Sequence, residues 1–156
     1  MPSAPFLHWH ADPGSACELC REAGGLPVAD AARWRVVRVA DEAFPAFYRV
    51  VWNAHAAEFT DLSPADRAEC MEAVAAVEGA LRDGLRPDKV NLASFGNVVA
   101  HLHWHVVARF AWDSHYPQPV WGSAQRPADA DAASRLALPL DRLDAAVRAA
   151  ALRPAR

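Results

Sequence analysis

The chain has one lysine, Lys89, among 156 residues, and its 16 basic side chains are outnumbered by 19 acidic ones for a formal net charge of −3. With no cluster of cations, it has no basic face with which to hold a nucleic acid polymer or an anionic membrane surface non-specifically. No stretch approaches the roughly 20 apolar residues needed to cross a bilayer. The opening Met-Pro-Ser-Ala-Pro lacks the basic and apolar regions of a signal peptide, and the expected location is the cytoplasm. Cysteine is scarce as well. There are 3, an odd number, and Cys17 and Cys20 are too close in sequence to brace a fold, which disfavours a disulfide framework and leaves reduced thiols or a metal site.

What remains is the composition of a globular domain, 53% hydrophobic and 22% charged, in a chain long enough to bury one core. Residues 1–16, rich in Pro, Ala, Ser and His without periodicity, read as a loosely ordered N-terminal arm; residues 17–156 read as a single domain. "WRVVRVA" (34–40) and "FYRVVWN" (47–53) are β-branched and aromatic runs around a turn-forming "DEAFPA", and predict an antiparallel pair. A long helix follows, with Ser63 as N-cap, Pro64 at its first position, Asp66 three residues after the cap and Gly84 as terminator. Its apolar stripe is Met71, Val74, Val77 and Leu81, and Cys70 inside it is most simply a core residue.

"KVNLASF" (89–95) and "VVAHLHWHVVARF" (98–110) read as two further strands, joined by Gly96-Asn97 as a hairpin or tight loop. A proline-containing stretch with Trp112 and Trp121 suggests an ordered loop over 111–126, and a C-terminal helix fits 139–152, with Leu140, Leu143 and Val147 on one face. The fold class is α+β: an antiparallel sheet of about five strands, one long helix and a C-terminal helix.

The chemistry is concentrated in "HLHWH", residues 101–105. On a strand, successive side chains point to opposite faces, so His101, His103 and His105 share one face and Leu102 and Trp104 the other. Histidine is both the commonest metal ligand and a nucleophile whose neutral form is available at pH 7. The spacing therefore suits either a metal site or a phosphate-transfer site.

The motif "HLHWHVV" resembles the His-x-His-x-His-x-x signature of the histidine triad nucleotide hydrolases and transferases. Upstream, "PAFYRVVWNAHAAEFTDLSPAD", with His55, resembles the segment that precedes the family's long helix, and "CELC" resembles the Cys-x-x-Cys of many bacterial members. The sequence departs from the family at Gly96-Asn97-Val98, where the usual hydroxyl is missing, and at Pro45-Ala46-Phe47. The resemblance implies attack on a nucleoside phosphate derivative, such as a dinucleoside polyphosphate or a nucleoside phosphoramidate, through a nucleotidyl intermediate on His103. His101 and His105 would then orient the nucleophile and stabilise charge, while Asn91, Asn97 and His105 bind substrate; on a plainer reading the two asparagines serve turns. It further implies a homodimer whose sheets join.

Cys17-x-x-Cys20 is a common zinc half-site, which His55 and one end of the triad would complete as a four-ligand structural zinc centre; the resemblance to related nucleotidyltransferases implies that this end is His101. The alternatives are a zinc-stabilised nucleotide-binding module without turnover and a metal-dependent hydrolase with all three triad histidines as ligands. His8 and His10 repeat the His-x-His spacing inside the arm, and His115 and Trp121 follow the histidine strand closely enough to close over a substrate or lie at a subunit contact.

Overall fold

The runs of valine and aromatic residues between 34 and 52 form the centre of the sheet in the computed structural model, which describes residues 6–154. The strands are β1 (Leu26–Asp30), β2 (Trp34–Arg38), β3 (Phe47–Trp52), β4 (Lys89–Ala93) and β5 (His103–Arg109). They lie in the order β1-β2-β3-β5-β4, with every neighbouring pair antiparallel. Central strands are covered on both faces, so β2 and β3 read as nearly continuous apolar runs rather than as clean alternation.

One face carries the main core. Val36, Tyr48, Val50, Val106 and Ala108 meet helix α2 (Pro64–Leu85) and helix α3 (Leu140–Ala151), which contribute Val74, Val77, Leu81, Leu143 and Val147. Arg38 grips the Asp144 carboxylate at 2.9 and 3.0 Å, and the Tyr48 hydroxyl donates to the same group at 2.7 Å, tying α3 to the sheet. The other face is covered by irregular chain and by a single helical turn, α1 (Glu18–Arg21), over two small clusters: Leu19, Val37 and Val51, then Phe44, Phe47 and Val107. The triad lies on this face.

Three local expectations change. Helix α2 does start at the Ser63 cap, whose hydroxyl accepts the Asp66 N–H, but it runs past Gly84 and ends at Arg86, in the left-handed region at φ 48°. Gly84 is instead a packing glycine: a Cβ there would sit 3.0 Å from Leu138 Cδ1. Strand β1, not foreseen, is an edge strand containing Pro27 and a register shift between Pro27 and Ala29, both features that edge positions tolerate. Finally, β4 and β5 pair as expected, with Ala93 opposite His105, but the connection spans 94–102 and is no tight turn; β5 begins at His103, not at Val98.

The first five residues of the expected N-terminal arm lie outside the described residues. Residues 6–16 carry no helix or strand, yet Phe6 packs on the Leu19 cluster, Trp9 lies over the Arg35 guanidinium at 4.3 Å, and the Asp12 N–H bonds to the Cys20 carbonyl.

Candidate active site

Strand alternation sends Trp104 and Val106 into the helical core and turns His103 and His105 to the opposite face. There they line a cavity of about 500 Å³ with Arg49, Glu18, Leu19, Phe95, Trp121 and residues 96–99. Both imidazoles are buried. The Nδ1–H of His103 donates to the backbone carbonyl of His101 at 2.6 Å, which fixes the tautomer and leaves Nε2 as the free ring nitrogen. Burial and the nearby Arg49 charge hold its pKa below the ordinary value, against the pull of that carbonyl. His103 is a neutral base with an oriented lone pair.

His105 packs edge-on against His103 with ring centroids 4.9 Å apart, and against Phe47 and Trp121 at 5.4 and 4.8 Å. Burial first, then the His103 and Arg49 charges, push its pKa down to about 3, so it too is neutral at pH 7. Phe95 and Trp121, each more than half exposed, meet edge to face at 4.8 Å above it and form an aromatic rim.

His101 does not join this pair. It precedes β5, is fully buried, and donates Nε2–H to the Trp52 carbonyl at 2.7 Å. Its Nδ1 is thereby left unprotonated, 3.3 Å from Cys17 Sγ, 3.5 Å from Cys20 Sγ and 3.3 Å from His55 Nδ1. In a tetrahedral zinc site with ordinary bond lengths, N···N and S···N edges are about 3.3 and 3.6 Å, so these four side chains have the donor set and spacing for such an ion. All four ligand atoms lie within 4.8 Å of one another, and neither His103 nor His105 belongs to the group. A carbonyl-bound second nitrogen is also the usual outer support of a ligating histidine. Of the three triad histidines, His103 and His105 line the cavity and His101 does not: its ring turns to the cysteines, the place the zinc reading gave it, and its backbone carbonyl accepts from His103.

Of the asparagines, Asn97 lines the cavity and Asn91 does not; the Asn91 side-chain oxygen accepts from Arg109 at 2.8 Å. His115 packs on Phe44 and shares a hydrogen bond with Ser114, away from the cavity lining, while Trp121 stands at its mouth. His8 and His10 are exposed and lie outside the metal-capable group. Sequence reasoning missed Arg49 and Glu18. The register supplies the missing signal, since Arg49 is the direct cross-strand partner of His105 and shares its face.

The HIT domain family model matches residues 28–112. A histidine triad protein from Bradyrhizobium japonicum is 30% identical, with a TM-score of 0.65 over 81% of this chain and 90% of its own. A histidine triad protein from Sinorhizobium meliloti 1021 is 25% identical, with a TM-score of 0.63 over 80% and 88%. A zinc-bound histidine triad family protein from Mycobacterium smegmatis, 22% identical, shares the fold at a TM-score of 0.52 over 78% and 82%. No curated protein matches this chain. The chain belongs to the histidine triad, or HIT, family.

Proposed function

We propose that this protein is a nucleotide hydrolase or nucleotidyl transferase acting on nucleoside phosphate derivatives, such as dinucleoside polyphosphates or nucleoside phosphoramidates. The observation that carries the reading is the His103 Nδ1–H bond to the His101 carbonyl, which leaves Nε2 free in a buried cavity. A neutral nucleophile approaches a phosphate anion without charge repulsion. The Nε2 lone pair forms a P–N bond to the α-phosphorus as the bond to the leaving group breaks, and the leaving group departs with the electron pair. The resulting imidazolium is stabilised by its Nδ1–H bond. Water then attacks phosphorus and releases a proton to solvent, the P–N electrons return to the ring, and a nucleoside monophosphate leaves. Asn97, His105 and backbone N–H groups of 96–99 are assigned to the phosphate oxygens, whereas Asn91, outside the cavity lining and bonded to Arg109, is given no contact with them.

The Cys17, Cys20, His55 and His101 cluster is assigned to zinc; the donor spacing supports it, and one relative of the same fold is zinc-bound. With four protein ligands an ion there would have no open position, and it would cross-link α1 to the segments that follow β3 and precede β5. A reducing compartment such as the cytoplasm suits the two thiolates. A homodimer is supported by β4, an edge strand with exposed Leu92 beside exposed Phe95 and Val98.

The test is rapid quench of the protein with a labelled nucleotide and mass spectrometry at high pH, where a phosphoramidate survives. A nucleotidyl adduct on His103 is expected; full activity of His103→Ala would overturn the mechanism.

A further inference from the structure

The cavity has a shortage of positive charge. A phosphate group brings at least one negative charge, and the acidic side chain in the lining, Glu18, adds another. Among the lining residues, one side chain is cationic, and it is Arg49. Its position is set by the sheet: on β3 it stands directly opposite His105, while Val51, two residues on, stands opposite His103, so its side chain rises from the same face as the triad pair.

The hydrogen bonds of Arg49 are incomplete. Nη1 donates to the Gly24 carbonyl at 2.9 Å, which steers the guanidinium along the cavity wall, while Nε is buried with no partner and Nη2 has no hydrogen bond among the described residues. A guanidinium has five donors in a planar fork, and leaving them unpaired in a desolvated place is costly. Glu18 lines the same cavity and its attraction helps keep Arg49 charged, but no ion pair joins the two among the described residues. Compare Arg35, also on the sheet and fully buried, which spends its donors on the carbonyls of Leu19 and Ala23 and the Asn53 side chain. Arg35 is satisfied within the fold. Arg49 is not, and it lines the cavity in which a phosphate would sit.

We infer that Arg49 is a catalytic residue of this site, donating to the non-bridging oxygens of the transferred phosphate next to His103 and His105. This rests on the nucleotide reading above and extends it: the site takes its one formal positive charge from β3, a strand outside the triad motif. The guanidinium draws charge onto the oxygens while His103 attacks, and no bond to Arg49 forms or breaks.

The experiment titrates the protein with the four ribonucleoside 5′-monophosphates and with the matching uncharged nucleosides, following heat by calorimetry. The wild type is expected to bind at least one monophosphate about 10-fold or more tightly than its nucleoside. In Arg49→Gln that ratio should fall close to one with nucleoside affinity unchanged, and Arg49→Lys should restore part of it. Thermal midpoint and zinc content report whether each variant is folded. As a measurement independent of folding, the Arg49 Nε–H resonance of the wild type, identified by its loss in Arg49→Lys, should shift when the monophosphate is added. A folded Arg49→Gln that keeps the ratio, or an Nε–H signal that stays still on saturation, overturns the inference while leaving the nucleotide reading intact. A wild type that binds no monophosphate better than its nucleoside would instead remove the nucleotide reading and the inference with it.

Discussion

The Nδ1 of His103 lies 2.6 Å from the backbone carbonyl oxygen of His101, two residues earlier in the chain. One histidine thus sets the protonation of the next through its main chain, while its own side chain is committed to the cysteine cluster. The metal-capable group and His103 are adjacent in sequence, yet the His103 ring takes no part in the group. Glu18 and Leu19, between the two cysteines, line the cavity of His103 and His105, so the cluster also fixes one wall of it.

The three histidines should therefore respond unequally. His103→Ala should abolish turnover while nucleoside monophosphate binding stays within a few-fold of wild type, because its main contribution is covalent. His105→Ala should lower kcat by roughly 10²-fold, the range for one lost transition-state contact. Steady-state kinetics and product titration separate the two. Equal losses in both would contradict the assigned roles.

Cys17→Ser and Cys20→Ser should each lose bound zinc, about one ion per chain in the wild type by elemental analysis, with a clear drop in thermal midpoint, since binding energy at a structural site is folding energy. Added zinc should not raise the kcat of the loaded wild type. A protein purified without chelator that carries no zinc would sink the assignment.

The burial of His105 has a consequence for acid stability. Its pKa in the folded protein is about 3, against roughly 6.5 when unfolded, so between those values the unfolded chain binds the extra proton. Its stabilising effect is complete above pH 6.5 and is lost as pH falls toward 3, at about 1.4 kcal/mol per pH unit in the middle of that window. Urea unfolding at pH 4, 5, 6 and 7 should show the slope. In His105→Phe, which keeps a ring against Phe47 and Trp121, the slope should be shallower by about one proton; an unchanged slope would show that His105 does not titrate in this way.

Much of this was legible in the sequence, and the exceptions have physical causes. The Ser63 cap, the central strands and the period-2 histidines are local signals, and each led to the right element. Period 2 does not say where a strand begins, so it placed His101 on the strand with His103, although it precedes β5 and turns its ring to Cys17 and Cys20. Strand β1 was hidden because Pro27 and a bulge break the alternation that marks a strand. Gly96-Asn97 suggested a tight turn, yet the nine residues of 94–102 are needed to carry Phe95, Asn97 and Val99 to the cavity. Arg49 sits in "FYRVVWN", where an arginine ordinarily marks a solvated face; its role follows from its strand partner, which no local pattern specifies.

The loop that carries Trp121 depends on a buried ion pair, and this gives a prediction remote from the chemistry. Asp113, 3% exposed, accepts from Arg109 Nε and Nη2 at 2.8 and 3.0 Å and from the N–H groups of Phe110, His115 and Tyr116. Arg109 also donates to Asn91 and to the Gln118 carbonyl, so one guanidinium joins β4, β5 and the loop just before Trp121. Desolvation tends to raise the Asp113 pKa, but Arg109 and the backbone N–H groups outweigh it and hold the carboxyl below its usual value. The stabilisation is thus present above the unfolded value of about 3.9 and is lost as pH falls through the folded one. Asp113→Ala leaves a buried guanidinium unpaired and should cost about 3–5 kcal/mol in urea unfolding at pH 7. Asp113→Asn, which keeps one acceptor oxygen, should cost less. In the folded Asn variant the loop should loosen and KM should rise more than kcat falls, because Trp121 forms the rim and does not touch the attacking nitrogen. A variant with wild-type stability at pH 7 would show that the Arg109–Asp113 pair does not anchor the loop.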